Sequence, residues 1–344
     1  MPHYSKAKIL QMEISSNCNL NCLGCVRTDR LSYSMKGHPG ITKNIFMTIE
    51  KFAEIFDSPA AKEVEEVQFC GSIDDPLMHN DFIEMCEILA DKKIFTVIHT
   101  NASLRTPAYF AELAEKLYGR IKFNIDGLEE TNHLYRRGSN FNKIIENAKA
   151  FIDAGGDAHW QYLEFPWNEY QTQDAKALAT EMGFKKFVYR RDRSGTPLPG
   201  EFEDMIKIEK KKYSYTWEEY KEKYPADNTI ECFSQNEKMY FIGHDCRVWP
   251  CCFLHNSTWL SSGNYQETEK RYIDNYGENW NSLYHHTFED IVNHRFYAED
   301  LVDSWSSTEH GTGSKDRIIR CTQTCQKKDR CSRPIGNFKA DELQ

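Results

Sequence analysis

Lys8-Ile9-Leu10-Gln11-Met12-Glu13-Ile14, a short β-rich run, leads after Ser15-Ser16-Asn17 into Cys18-Asn19-Leu20-Asn21-Cys22-Leu23-Gly24-Cys25. A strand followed by a C-x3-C-x2-C loop is the reading from which the rest follows. Three thiols fall within eight residues, and no fourth cysteine or paired histidine lies nearby. A closed structural zinc site wants four ligands. An iron–sulfur cube is also usually held by four protein thiolates, so three leave one iron open to a ligand from outside the chain.

Outward from this loop, short β-rich runs alternate with amphipathic segments as far as about residue 190. The strand candidates are Lys8 to Ile14, Val64 to Phe69, Ile94 to His99, Ile121 to Asp126, Ala158 to Leu163 and Phe184 to Tyr189. Helical stripes separate them: Ile49, Phe52, Ala53 and Phe56; Phe82, Met85, Cys86 and Leu89; Phe110, Leu113, Ala114 and Leu117. The series continues with Ile144, Ile145, Ala148 and Phe151, then Ala175, Leu178, Ala179 and Met182. Repeated strand–helix alternation demands parallel pairing through crossovers, so a barrel or a doubly wound sheet is expected, with six repeats instead of the eight that close a barrel. In such folds the chemistry sits where strands end and the following loops begin. Residues 195–200, Gly-Thr-Pro-Leu-Pro-Gly, break the pattern and open a linker that includes Lys210-Lys211-Lys212 and Trp217. From about 231 onward the chain holds seven of its twelve cysteines with little clean periodicity, as expected of a small unit held by metal rather than by a large core.

Composition narrows the function. The 344 residues carry 43 basic and 52 acidic side chains, a net charge of −9, which argues against a nucleic-acid partner held by counterion release. No run approaches the roughly 20 apolar residues that span a bilayer, and Met1 to Lys8 lacks the apolar segment of a secretory signal. A cytoplasmic protein without a membrane partner is expected. In that reducing compartment clustered cysteines read as metal ligands rather than disulfides.

The cysteine triplet in the loop after the first strand resembles that of the radical S-adenosylmethionine (SAM) enzymes. The resemblance implies a partial (β/α)6 TIM-like barrel in which Cys18, Cys22 and Cys25 hold a 4Fe-4S cluster whose open iron binds the amino and carboxylate groups of SAM. It further implies reductive cleavage of SAM to methionine and a 5′-deoxyadenosyl radical, which abstracts hydrogen from a substrate, with an external one-electron donor such as flavodoxin or ferredoxin. The residue before the third cysteine is often aromatic in the family and is Gly24 here. A zinc knuckle completed by Cys70 or Cys86 is the competing reading; Cys86 falls on a helix stripe and reads as core.

Further segments resemble the family's cofactor contacts. Gly71-Ser72-Ile73-Asp74-Asp75-Pro76 stands where the Gly-Gly-Glu-Pro-like motif binds the methionyl amine, which points to Ser72, Asp74 and Asp75. His99-Thr100-Asn101-Ala102 is similar to the Thr-Asn-Gly segment and contributes Thr100. Asn124 takes the place of a strand-four Ser or Thr, and Tyr135-Arg136-Arg137-Gly138 is similar to the segment that brings an arginine, read as Arg137, near the cofactor. Asp126-Gly127 also reads as an ordinary strand-ending turn.

Beyond the linker, Cys232, then Cys246 and Cys251-Cys252, then Cys321, Cys325 and Cys331 resemble the layout of SPASM and twitch extensions, which hold an auxiliary 4Fe-4S cluster. Cys232, Cys251, Cys321 and Cys325 form the expected ligand set, with Cys331 or Cys252 as substitutes. A four-cysteine zinc site is the alternative. The sequence thus divides into a core barrel over 1–195, a linker over 196–230 and a SPASM/twitch-like domain over 231–344. Its substrate is expected to be a peptide, sugar or small metabolite; a non-catalytic iron–sulfur or zinc protein, acting as an electron carrier or interaction module, is the rival. No general acid or base is assigned. His285-His286 and the Trp and Tyr residues between 259 and 305 read as packing around the cluster.

Overall fold

The structure, a computed structural model, describes residues 6–23, 25, 27–28, 44–192, 218, 221–222, 224–226, 229–257, 265–325 and 339–342. The linker's Gly195 to Gly200, Lys210 to Lys212, Trp217 and Cys331 lie outside them. In chain order the main elements are β1 (Ile9–Met12), α1 (Ile49–Asp57), β2 (Glu66–Phe69), α2 (Phe82–Asp91), β3 (Phe95–Thr100), α3 (Pro107–Lys116), β4 (Gly119–Asn124), α4 (Phe141–Asp153), β5 (Ala158–Glu164), α5 (Thr172–Met182) and β6 (Lys186–Arg191). There follow β7 (Met239–Ile242), β8 (Val248–Trp249), α6 (Cys252–Ser257), α7 (Tyr265–Tyr276), α8 (Phe288–Val292), α9 (Ile319–Cys325) and β9 (Lys339–Glu342). All six expected strands and all five expected helices form, and the mixed α/β class with a parallel sheet matches the partial barrel of the family that the sequence resembles. No helix among the described residues is long and apolar enough to cross a membrane.

The chain forms two compact units that are not contiguous in sequence: Glu13–Ile49 with Glu66–Lys207 and Phe338–Gln344, and Met1–Met12 with Glu50–Glu65 and Ile208–Asn337. In the first, β2 to β6 pair in parallel in chain order, and β9 adds antiparallel to β6. One face of each strand is apolar and buried under the helices: Phe69 stacks edge-on to Phe82, and Phe123 meets Phe110, Phe151 and Phe184. Alternation puts the other residues on the opposite face. There the register aligns Gln68 with Val97, His99 with Lys122, Asn124 with Gln161 and Leu163 with Arg190, a distinctly polar surface. Parallel strands buried on both sides are usually continuous apolar runs, and this polar second face departs from that pattern.

In the second unit β1 pairs in parallel with β7, and β7 forms a hairpin with β8. Contrary to the expectation of a small core, it buries a connected aromatic cluster. Trp249 packs edge-on to Tyr272 and Trp280, and Phe296 meets Tyr272, Trp280 and Tyr297. Tyr297 also donates to the Val248 carbonyl at 2.8 Å. Tyr272, Trp280, Phe296 and Tyr297 are thus packing, and Phe288-Glu289-Asp290 is the first turn of α8, closed by a capping box with Thr287.

Candidate metal and cofactor sites

The cysteine loop is held by main chain. Asn21 N–H donates to the Arg137 carbonyl at 3.1 Å and Leu23 N–H to the Tyr135 carbonyl at 3.0 Å, so residues 135–137 brace the loop that carries the three thiols. Cys22 is buried, and Cys18 and Cys25 are half-buried. Leu20 N–H at 3.5 Å and Asn101 Nδ2 at 3.8 Å both point at the Cys18 sulfur. Burial, then the charge of Asp75, pushes the Cys18 thiol up to about 12, against which Arg27 pulls down. Burial likewise pushes Cys22 up to about 11, and Arg136 is the largest opposing influence.

Arg136 is anchored by Asp126, its Nε 2.7 Å from Asp126 Oδ2. Burial works against its charge, yet Asp126 and Cys22 hold its proton more tightly than usual. Burial raises Asp126, with Arg136 opposing, while Leu163 N–H donates to Oδ1 at 2.7 Å. Gly127 is required here: a Cβ would sit 2.2 Å from Thr131 Oγ1 and 2.7 Å from Asn132 N, at a φ of +149°. Two cations, the buried Arg27 and the half-buried Arg136, beside deprotonatable sulfurs are what an anionic metal–thiolate assembly needs, so the residues present fit a cluster held by three cysteines.

The loop after β2 is tied to its neighbours through two adjacent carboxylates. Asp75 accepts from Thr100 Oγ1 (2.9 and 3.0 Å), Asn101 N (2.8 Å), Asn101 Nδ2 (2.7 Å) and Leu77 N (3.1 Å), so its oxygens are fully used in joining the ends of β2 and β3. Asp74 Oδ2 accepts from Ser15 N at 3.1 Å, whereas Oδ1 is buried with no hydrogen-bond partner among the described residues. Burial, then the charges of Glu13 and Asp75, raises the Asp74 carboxyl well above its ordinary value. An ammonium group at Oδ1 would supply the missing partner and reverse that repulsion. Ala102, buried at a φ of +54°, occupies the left-handed position where the resembled Thr-Asn-Gly segment has glycine.

Of the expected cofactor contacts, Thr100 and Asp75 are therefore bonded to each other. Ser72 is half-buried in the same loop and Asn124 lies on the polar face beside Gln161. Arg137 is exposed, and the arginine brought to the cysteines is its neighbour Arg136. Sequence reading missed Ser15, Asn101 and Arg136 as site-builders and left Asp126 between a site role and an ordinary turn. The only signal for Arg136 was its place in an Arg-Arg pair, where the register decides which one turns inward.

In the other unit Cys232, Cys251, Cys321 and Cys325 line one small cavity with Leu254, Trp305 and Arg320. All four are buried. Cys321 and Cys325 stand four apart on α9 and so share a face, which is why three residues, not two, separate them. Glu231 N–H donates to the Cys325 carbonyl at 2.9 Å and draws Cys232 to that face. Burial, then the charge of Cys232, raises Cys321 to about 12, and Cys325 is raised by its hydrogen bond with Cys232 and by burial. Thiols that raise each other's pKa by proximity are relieved by a shared cation, so this set fits a metal centre. Cys252 is half-buried outside the cavity lining; Cys246 bonds Tyr284 Oη at 3.3 Å, and Cys86 is core on α2.

Residues 12–162 match the family described as the radical SAM superfamily. That stretch is a little under half of the chain, and over it the chain is similar to the radical SAM superfamily. Two curated relatives share part of this sequence: the AdoMet-dependent heme synthase of Nitratidesulfovibrio vulgaris, 28% identical over 48% of this chain and 41% of that protein, and the 7,8-dihydro-6-hydroxymethylpterin dimethyltransferase of Methanocaldococcus jannaschii, 28% identical over 43% of this chain and 28% of that protein. The chain thus aligns with less than half the length of either relative. Among solved structures, anSMEcpe with bound AdoMet superposes with a TM-score of 0.56 at 15% identity, over 98% of this chain and 89% of that one. Streptococcus suis SuiB bound to S-adenosylmethionine superposes with a TM-score of 0.52 at 17% identity, over 73% and 61%. At such identities the likeness is one of fold.

Proposed function

We propose that this chain is an enzyme that reductively cleaves SAM and abstracts hydrogen from a peptide, sugar or small-metabolite substrate. The observation that carries the reading is the main-chain-braced loop of three thiols, flanked by Arg27 and Arg136, inside the stretch that matches the radical SAM superfamily. Cys18, Cys22 and Cys25 are the ligands of a 4Fe-4S cluster. When bound, the cluster and SAM supply one-electron cleavage of the sulfonium to methionine and a 5′-deoxyadenosyl radical, fed by an external donor of the flavodoxin or ferredoxin kind.

The chain's own residues orient and shield. Asp74 Oδ1 receives the methionyl ammonium, with Ser72 in the same loop, while Asp75 and Thr100 position that loop rather than touch the cofactor. Arg136, in place of Arg137, offsets thiolate charge at Cys22. Asn124, with His99, Lys122, Gln161 and Arg190 on the same polar face, binds a substrate rich in hydrogen-bonding groups. Cys232, Cys251, Cys321 and Cys325 hold an auxiliary 4Fe-4S cluster of the SPASM/twitch kind, and the protein works in the cytoplasm.

The test is anaerobic reconstitution, iron and sulfide counting, and incubation with SAM and dithionite. 5′-Deoxyadenosine is expected, and Cys22→Ala should abolish it. A fully loaded, reduced sample that forms none would make this a non-catalytic metal protein.

A further inference from the structure

Away from the cysteines, the tip of the β7–β8 hairpin gathers a different donor set. Gly243 N–H donates to the Arg247 carbonyl at 3.0 Å and Cys246 N–H to the Gly243 carbonyl at 2.8 Å, with Cys246 at a φ of +55°. The turn thus presents His244 and Asp245 side by side. His255, one turn into α6, reaches the same point. One ligand atom from each of His244, Asp245 and His255 lies within 4.8 Å of the other two. Both histidines are almost fully buried, at 1% and 0% exposure, and the Asp245 side chain is 23% exposed, which leaves one open side.

Three details favour an ion over a simple ion pair. His255 Nε2 stands 3.5 Å from Asp245 Oδ1, long for a hydrogen bond. It is close to the roughly 3.3 Å between two ligands of a tetrahedral ion bonded at about 2.0–2.1 Å. Gly243 keeps the space clear, since a Cβ there would sit 2.5 Å from His255 Nε2 and 2.6 Å from Asp245 Oδ1. The ring of His255 is also fixed by aromatic neighbours, Phe241 at 5.0 Å and Trp249 at 6.4 Å, so its nitrogens are pre-aimed.

We propose that His244, Asp245 and His255 form a mononuclear site for a divalent transition-metal ion, separate in its donors from the four-cysteine cavity, that fastens the β7–β8 turn to α6. Two imidazoles and a carboxylate suit zinc or ferrous iron and leave a fourth position for water. Because the main-chain N–H of His255 donates to the Cys251 carbonyl at 3.2 Å, an ion held by the His255 ring would sit on the same backbone turn as a cysteine of the cavity.

The test uses the full chain, anaerobically reconstituted with iron and sulfide so that the thiols are occupied, then given one equivalent of zinc and desalted. Zinc-edge X-ray absorption should show nitrogen and oxygen neighbours at about 2.0–2.1 Å and no sulfur at about 2.3 Å. Competition with a chromophoric chelator should show at least about tenfold weaker zinc binding in Asp245→Asn, His255→Gln and Gly243→Ala, with cluster iron unchanged. Zinc that washes out of the wild type, a sulfur-only shell, or wild-type affinity in Asp245→Asn would each overturn the proposal. Should the buried His255 variant fail to fold, the half-exposed Asp245 variant and the wild-type spectrum still decide.

Discussion

Arg136 and Arg137 are neighbours with opposite fates. Arg136 is paired to Asp126 and faces Cys22, whereas Arg137 is exposed. Breaking a buried pair costs about 3–5 kcal/mol, because the remaining charge is left without compensation. Urea titrations should therefore show a large loss for Arg136→Gln and a change within about 0.5 kcal/mol for Arg137→Gln. At Asp74 two readouts should move in opposite directions. A carboxyl whose folded pKa is raised loses stability as pH climbs from its ordinary value through the folded one, so Asp74→Asn should raise the melting temperature of the SAM-free protein at pH 7.5. The same change removes a charged partner for an ammonium and should weaken SAM binding about ten- to a hundredfold by calorimetry. His99 gives the reverse pH limb. Burial holds it down to about 3, well below the ordinary histidine value of about 6.5, so its contribution is intact above 6.5 and is lost as the pH falls toward 3. At pH 5 the loss is about 2 kcal/mol. Relative to wild type, His99→Gln should gain stability by that order between pH 7.5 and pH 5 in denaturant melts.

At the level of elements, α9 shows how a helix can set the spacing of two proposed ligands. Cys321 and Cys325 share a face because 3.6 residues make a turn, so inserting one alanine between them swings one thiol by about 100°. The insertion should lower bound iron by about four atoms per chain while 5′-deoxyadenosine formation persists, as read by iron analysis and product assay. The β/α alternation was legible because it rests on local periods: Phe82, Met85, Cys86 and Leu89 mark α2, and the run from Phe95 to Thr100 marks β3. β9 was not legible. Lys339-Ala340-Asp341-Glu342 has no strand propensity, and only pairing with β6 makes it a strand. The first cysteine loop was readable from spacing alone, but the choice between Arg136 and Arg137, and the saturation of Asp75 by Thr100 and Asn101, depend on contacts across loops that no local pattern encodes.

For the molecule as a whole, the division into two compact units built from interleaved segments separates what metal removal should do to each. The packing role of Tyr272 and Trp280 was legible in the sequence, but their meeting with Trp249 was not, because the members of this aromatic cluster come from separate elements and loops. It gives its unit a core of its own. Loss of the proposed auxiliary centre in Cys251→Ser should therefore speed hydrogen exchange in α6 and α9 while β3, β4 and β5 keep their protection. The two peptide hydrogen bonds that brace the first cysteine loop carry a last consequence. Asn21 is exposed, and what it lends to the loop is its backbone N–H, not its side chain. A saturation library at this position should tolerate almost any side chain and reject proline, whose ring removes the one proton that matters.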